Sequence, residues 1–145
     1  MARNQQDFTF DAKLQLKDAG AVTASAGAQV ASVAQVLDFG ASRLNARAIV
    51  DVAVIKTTAT DESYRLRLQV SNDITFATTV VEAVALELGA TAATGNSAAD
   101  AVGRREMAFT NEVNGVTYRY GRMFHVISGT APNIDYKSFV VQEPW

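Results

Sequence analysis

The chain has 145 residues, of which 48 % are apolar and 19 % are charged, and this balance predicts one globular domain and excludes a disordered chain. Its formal net charge is −2 with acidic and basic residues mixed, so the clustered basic surface of a nucleic-acid-binding protein is not expected. It has no cysteine, which excludes disulfides and thiolate metal sites and suits a reducing cytosol. No membrane span and no signal peptide are expected, because no apolar run is long enough.

The first third of the chain predicts two strands separated by a loop. Over residues 7–17 apolar and polar residues alternate, and this period of two places the apolar side chains on one face of a sheet. Residues 18–29 are rich in alanine, glycine and serine and are interpreted as a loop that could hold a short strand. Residues 30–39 are predicted to form a strand, and residues 41–46 a connection.

The next predicted strand, over residues 47–57, is apolar on both faces. One side carries Ala48, Val50, Val52 and Val54, and the other carries Ile49 and Ile55. Such a strand is typical of a position covered by a second sheet on one side and by a partner or a loop on the other. We therefore select Ile49 and Ile55 as candidate contacts with another protein chain.

Residues 63–71 alternate again, with Arg65 and Arg67 facing outward. These arginines could bind a carboxylate on a partner, although cross-strand ion pairs on a solvated sheet face are the commoner arrangement. A turn over residues 58–62 and a polar loop over residues 72–78 flank this strand. Residues 79–88 are compatible with a strand or a helix, and their β-branched start favours the strand.

The last third predicts a long loop over residues 89–102 and three strands over residues 104–110, 116–128 and 134–141. Asn114-Gly115 precedes the second of these strands and is a strong hairpin signal, because both turn positions need a positive φ. The chain therefore holds about eight antiparallel strands at short spacing. This pattern predicts an all-β fold, as a two-sheet β-sandwich or a barrel.

The sequence offers no catalytic constellation. His125 is the only histidine and no neighbouring carboxylate could orient it, so a structural or interface role is preferred, and a zinc site is not expected. Asp61-Glu62 and Asn72-Asp73 could bind calcium, but turn chemistry explains them better. No phosphate-binding glycine motif and no nucleophile elbow occurs. We therefore predict no enzyme activity, no cofactor and no metal.

Aromatic residues suggest contacts only at the end of the sequence. Arg119, Arg122 and the tyrosines could stack on nucleic-acid bases, but aromatic residues in strands usually belong to the core. Trp145 is the only tryptophan and the last residue. A tryptophan buries a large surface and is enriched at interfaces, so Trp145 joins Ile49 and Ile55 as a candidate oligomer or partner contact.

Five segments carry a family resemblance and follow one another over nearly the whole chain. They are AGAVTASA at 19–26, SRLNARAIVDV at 42–52, DESYRLRLQVSND at 61–73, VGRREMAFTNEVNGVTYRYGRMF at 102–124 and GTAPNIDYKSF at 129–139. In these segments the chain resembles the capsid decoration, or cementing, proteins of the Bordetella-phage type in short-tailed phages. The closing VQEPW lies outside the resemblance, so the role of this tail is left open.

The resemblance implies a jelly-roll sandwich, with one domain over residues 1–145 and short N- and C-terminal arms. It also implies a homodimer or homotrimer without catalytic activity, seated on the outer surface of an icosahedral phage head. The partner would be the major capsid protein, with no nucleic acid or membrane involved, and the protein would be made in the bacterial host cytoplasm. The alternative is a carbohydrate- or receptor-binding β-sandwich module of a phage fibre or baseplate.

Overall fold

The structure is a computed structural model that describes residues 12–96 and 98–142. A 3-10 turn, Ala12–Leu14, opens the described chain, and a one-turn helix α1, Thr91–Thr94, interrupts its second half. The strands are β1 Gln15–Lys17, β2 Ala21–Val22, β3 Ala26–Gly27, β4 Gln29–Val30, β5 Val33–Ala34, β6 Leu37–Asp38, β7 Asn45–Ile55, β8 Ser63–Ser71, β9 Val81–Gly89, β10 Gly103–Thr110, β11 Glu112–Val113, β12 Val116–Thr117, β13 Tyr120–Ser128 and β14 Ile134–Gln142.

These strands form two principal antiparallel sheets. Sheet A has the order β1-β14-β7-β10, and β2 also pairs with β14. Sheet B has the order β3-β13-β8-β9, and β6 also pairs with β13. The remaining described pairs, β4-β5 and β11-β12, are small hairpins. The predicted all-β sandwich is therefore confirmed.

The main hydrophobic core lies between the two sheets, because alternate residues of each long strand point toward the other sheet. Its fully buried side chains include Val50, Ile134 and Tyr136 from sheet A and Tyr64, Leu66, Leu68 and Met123 from sheet B. A second, smaller cluster of Ile49, Phe139 and Val141 is also buried. Ile49 and Phe139 lie directly opposite each other on β7 and β14, on the face of sheet A that points away from sheet B.

A β-bulge near the end of β7 makes the predicted faces of Val54 and Ile55 wrong. Asp135 pairs with Val54 and Tyr136 pairs with Val52, so Ala53 is an extra residue in β7. One extra residue moves every following side chain to the opposite face of a sheet. Val54 is therefore 51 % exposed, and Ile55 packs against the main core, which reverses the sides predicted from the alternation.

The predicted strand over residues 7–17 is only partly observed. Residues 7–11 lie outside the described residues, residues 12–14 form the 3-10 turn, and β1 begins at Gln15. Leu16 is an extra residue where β1 pairs with β14, and this irregularity turns Lys17 inward although the alternation placed it outward. The predicted strand over residues 30–39 is replaced by parts of β4, β5 and β6, because Ala31 and Ser32 adopt positive φ angles and turn the chain.

The later strand predictions agree more closely with the structure. Strand β8 has the predicted bounds, and residues 79–88 hold most of β9, which ends at Gly89, rather than a helix. The predicted loop over residues 89–102 contains α1. The predicted strand over residues 116–128 is broken between β12 and β13, because Tyr118 N–H donates to the Asn111 carbonyl and Arg119 N–H donates to Asn72 Oδ1. Asn114 and Gly115 both have positive φ and close the β11-β12 hairpin, as predicted.

Candidate functional site

The single histidine links the two sheets across the core. His125 lies on β13 and is 1 % exposed, and its Nδ1 lies 2.9 Å from the hydroxyl oxygen of Tyr136 on β14. The two rings meet edge to face, with centroids 5.9 Å apart. A structural histidine was predicted without a partner. The partner is a tyrosine of the other sheet, which no local sequence pattern could identify.

Lys17 completes this buried polar cluster. Its side chain is 3 % exposed, and its Nζ donates hydrogen bonds to the carbonyl oxygens of Asp18, Gly20 and Tyr136 at 2.8–2.9 Å. The ammonium also lies 4.6 Å from the centroid of the Tyr136 ring, a distance at which a cation is attracted to the ring face. Two protons of Lys17 thus hold the chain that follows β1, and the third binds β14.

Burial shifts the protonation equilibria of this cluster. Desolvation, followed by repulsion from Lys17, lowers the pKa of His125 to about 4, so its imidazole is neutral at physiological pH. Desolvation raises the pKa of Tyr136, which keeps the phenol protonated. Desolvation also lowers the pKa of Lys17, while the nearby carboxylates of Asp135 and Asp18 oppose that shift.

These pKa shifts and contacts define the proton positions. The buried Tyr136 hydroxyl has no described partner besides His125, and an unpaired buried hydroxyl is costly. The arrangement that satisfies it has the phenol donating to Nδ1, which leaves the imidazole proton on Nε2. His125 therefore carries one N–H donor that Tyr136 does not use.

A cavity of about 450 Å³ opens beside His125. Its walls come mainly from the chain that crosses from sheet A to sheet B, with small side chains such as Ala19, Ala21, Ala24 and Ala26. Polar groups that line it include Gln29, Ser32 and Thr23 as well as His125. A concave site with a few polar groups and a residue of perturbed pKa is the usual form of a ligand site.

The outward arginines of β8 are paired with acids of β9. Arg65 donates two hydrogen bonds to Glu82 at 2.8 and 3.0 Å, and it also pairs with Glu87. Arg67 Nε donates to Glu82 Oε1 at 2.8 Å. This is the cross-strand arrangement that the sequence favoured. The charges of these two arginines are neutralised within the chain.

Arg122 differs from the other arginines on the outer face of sheet B. Its guanidinium carbon lies 4.5 Å from the ring centroid of Phe76 and 5.2 Å from that of Phe124. Its Nε donates to the amide oxygen of Gln69 at 2.9 Å, and no described carboxylate pairs with it. Desolvation lowers the pKa of Arg122. The side chain is thus a cation that lies close to two aromatic rings and has no carboxylate partner in the described part of the chain.

The outer row of β13 combines aromatic and cationic groups. Tyr120, Arg122 and Phe124 alternate on the outer face and are all partly exposed. Arg119 lies 5.4 Å from the Tyr120 ring centroid and forms a two-point ion pair with Asp38. Tyr120 and Phe124 therefore lie outside the core, contrary to the assignment of strand aromatics to it. We call Tyr120, Arg122, Phe124 and Phe76 the aromatic-arginine row.

The acidic residues of the turns accept hydrogen bonds from nearby backbone N–H and hydroxyl groups. Asp61 accepts hydrogen bonds from the backbone N–H and the hydroxyl of Thr130, and these bonds lower its pKa. Asp73 accepts from Thr75, Ala77 and Thr78 within its own loop, and its pKa is also lowered. Within residues 12–142, no group of three histidine or acidic side chains is placed to hold a metal.

Two of the three predicted contact residues, Ile49 and Ile55, are described, and they pack in different hydrophobic clusters. Ile49 is 0 % exposed and packs with Phe139 and Val141, so its side chain is buried within this chain, and its role as a contact with another protein stays a prediction. Ile55 is partly exposed and packs against the main core. Trp145 lies outside the described residues. The aromatic-arginine row was missed as a contact surface, although its alternation from Tyr120 to Phe124 is visible in the sequence.

Comparison with known proteins gives no identification. No family model matches the chain, and no curated protein matches it significantly. In the described part of the chain, no helix combines the length and the apolar character needed to cross a bilayer.

Proposed function

We propose that this protein is a capsid decoration protein that binds the outer surface of an icosahedral phage head and stabilises it. Counted along the described residues, there are eight principal strand positions: β1 with β2, β3 with β6, β7, β8, β9, β10, β13 and β14. The first pairs with the eighth, the second with the seventh, the third with the sixth and the fourth with the fifth. This is the pairing of one long hairpin rolled into two sheets, and it supports a jelly-roll assignment.

The single observation that carries the proposal is this strand order, combined with the resemblance along nearly the whole chain. The jelly roll is a common architecture of viral capsid and lectin domains, so the fold alone leaves several functions open. The ordered resemblance selects the decoration protein among them. The partners are then the major capsid protein and further copies of this chain, as a homodimer or homotrimer in the virion.

The aromatic-arginine row supports docking by protein contact. Aromatic residues and arginine are enriched in interfaces and dominate the binding energy there. Arg122 is already fixed between Phe76 and Phe124, so little side-chain entropy is lost when it meets a partner. Because no described acid neutralises it, a carboxylate of the shell protein would complete its pairing.

Binding of this kind stabilises a shell by linkage. A ligand that binds only the assembled lattice adds its binding free energy to the stability of that lattice. Several copies joined in one oligomer bind a rigid lattice with higher avidity than one copy alone. The proposed activity therefore needs surface complementarity and no chemical step.

The test mixes the purified protein with expanded, undecorated phage heads. We expect the protein to co-sediment with the heads and to raise their melting temperature. The Arg122→Ala variant is expected to bind at least about tenfold more weakly, as a truncated interface arginine does. Arg43→Ala is the matched control, because Arg43 is an exposed arginine whose carboxylate partner, Glu112, lies in the same chain.

Failure of the wild-type protein to bind, with unchanged shell melting, would contradict the proposal. Equal binding of both variants would show that the aromatic-arginine row is not part of the interface. The proposed decoration role would still stand. The second candidate is a carbohydrate- or receptor-binding module, favoured by the partly exposed rings of Tyr120 and Phe124. A reproducible signal on a glycan array, lost in Tyr120→Ala, would support that alternative.

A further inference from the structure

The cavity beside His125 lies between two free sheet edges. Strand β2 borders sheet A and β3 borders sheet B, and no described strand pairs with the far side of either one. Between them, Thr23 and Ala24 make no hydrogen bond with any described residue. Unpaired edge groups of this kind are a template for pairing with another strand.

The floor of this cavity offers a hydrogen-bond donor. The Tyr136 hydroxyl donates a hydrogen bond to Nδ1 of His125, and the imidazole proton therefore lies on Nε2. His125 lines the cavity, and Nε2 has no partner among the described residues. A ligand would accept this hydrogen bond with an oxygen atom.

The charges around the cavity favour an uncharged ligand. Among the described residues that line it, Lys17 is the one lysine or arginine, and its three protons are bound to backbone carbonyls. Two carboxylates lie close to that ammonium, those of Asp18 and Asp135. Asp18 accepts from Ala31 N–H, and Asp135 accepts from Gly20 N–H. Asp18 also lines the cavity, so the charges of Lys17 and Asp18 cancel there and a free carboxylate gains no net attraction, whereas a carbonyl oxygen needs none.

We propose that this cavity binds an extended, uncharged peptide segment of another protein, whose carbonyl oxygen accepts a hydrogen bond from His125 Nε2. The free edges of β2 and β3 supply backbone donors and acceptors, as in the addition of a strand to a sheet edge. The alanine and glycine residues of the walls are small, and they leave room for the main chain of a peptide. This assignment does not depend on the binding of a phage head.

Nuclear magnetic resonance tests the proposal on a single signal, since the chain has one histidine. The ¹⁵N shifts of the free protein are expected to show the neutral imidazole protonated on Nε2. Titration with N-acetyl-trialanine amide is expected to move the His125 signals in a saturable way. A proton on Nδ1, or no shift at millimolar peptide, would overturn the proposal.

Two alanine variants separate the cavity from the rest of the surface. Ala26 is exposed and lies directly opposite His125 on the same face, so Ala26→Leu fills the cavity without entering the core and should abolish the peptide-induced shift. Ala108→Leu, at an exposed alanine of β10, should retain it. A shift that persists in Ala26→Leu would overturn the site. A shift with sodium acetate or N-acetylglucosamine but not with the peptide would overturn the ligand class.

Discussion

At the scale of single residues, the core tolerates a polar cluster because its groups are hydrogen-bonded, apart from Nε2 of His125, which lies beside the cavity. Lys17 is held by three carbonyl oxygens, and His125 is paired with the Tyr136 hydroxyl. Buried polar groups destabilise a protein mainly when they are left unpaired. The cluster is therefore compatible with a stable fold, but its protonation state is linked to folding.

We predict that stability falls as the pH is lowered from about 6.5 to about 4. The pKa of His125 is about 4 in the folded protein and about 6.5 when unfolded. The unfolded state therefore binds the proton first, and the stability linked to the neutral imidazole is fully present above pH 6.5 and lost by pH 4. The loss is roughly 3 kcal/mol, from 1.36 kcal/mol for each pKa unit. Urea unfolding across this pH range measures it.

The control is His125→Gln, which can still accept a hydrogen bond from Tyr136 and does not titrate. Its stability should be nearly constant between pH 6.5 and pH 4. The carboxyl pKa values of Asp38 and Asp51 are lowered by Arg119 and Arg104, so their contribution is lost only below about pH 4. If the stability of His125→Gln fell with pH as steeply as that of the unchanged protein, the pH dependence could not be assigned to His125.

We predict that Gly89→Ala is far more destabilising than Gly20→Ala. The φ angle is 138° at Gly89 and 149° at Gly20, so both substitutions carry a similar backbone strain. A Cβ on Gly89 would lie 2.8 Å from Ser63 Cα and nearer still to the Glu62 carbonyl, whereas nothing lies near Gly20. We expect roughly 3 kcal/mol or more for Gly89→Ala and about 1 kcal/mol for Gly20→Ala. Thermal unfolding of the two variants decides this, and equal losses would contradict it.

At the scale of elements, the alternation of the sequence predicts strands well and their irregularities poorly. Strand β8 is predicted at its observed bounds because Tyr64, Leu66 and Leu68 alternate with charged or polar residues. The Asn114-Gly115 turn is also predicted, since the need for positive φ is local. The bulge at Ala53 is not predictable, because it depends on the register with β14. A face assignment that ignores the bulge is reversed beyond it.

A bulge also explains the ambiguity of residues 79–88. Leu68 pairs with Val84 and Gln69 pairs with Glu82, so Ala83 is an extra residue in β9. The apolar and polar residues of this strand therefore do not alternate regularly, and its alanines suggested a helix. The same bulge places Glu82 within reach of both Arg65 and Arg67.

We predict that Glu82→Gln destabilises the protein by about 1 kcal/mol at low ionic strength and by less at high salt. Glu82 accepts three hydrogen bonds from Arg65 and Arg67, and networks exceed isolated surface pairs in strength. Glu112→Gln is the control, since Glu112 has a single ion pair with Arg43 at 3.3 Å, and its cost should be within about 0.5 kcal/mol. Urea unfolding at two salt concentrations provides the measurement. Equal effects of the two substitutions would contradict the network.

At the scale of the whole molecule, the candidate site depends on contacts between sheets. The partner of His125 on β14 and the two free edges beside it come together only when sheet A packs on sheet B. Sequence patterns indicate the face of each strand but not the neighbour across the core. The aromatic-arginine row could be predicted from the alternation along β13 alone. It was overlooked because aromatic residues were assigned to the core.

We predict that the protein is a homodimer or homotrimer in solution. Light scattering should give a mass two or three times the 15.5 kDa of one chain, because the proposed decoration role implies an oligomer. Dilution over a wide range shows whether the oligomer dissociates. A mass of one chain at all concentrations would contradict the predicted oligomer.

The position of β14 in sheet A determines how the chain can fold during synthesis. Strand β14 lies between β1 and β7 and pairs with both, although it follows every other described strand in the sequence. Sheet A therefore cannot close before β14 has been translated, whereas β8 and β9 can pair early. Pairings between such distant segments give a high contact order, which slows folding to the range of milliseconds to seconds. During that interval the uncovered side of β7 is exposed to chaperones and to neighbouring nascent chains.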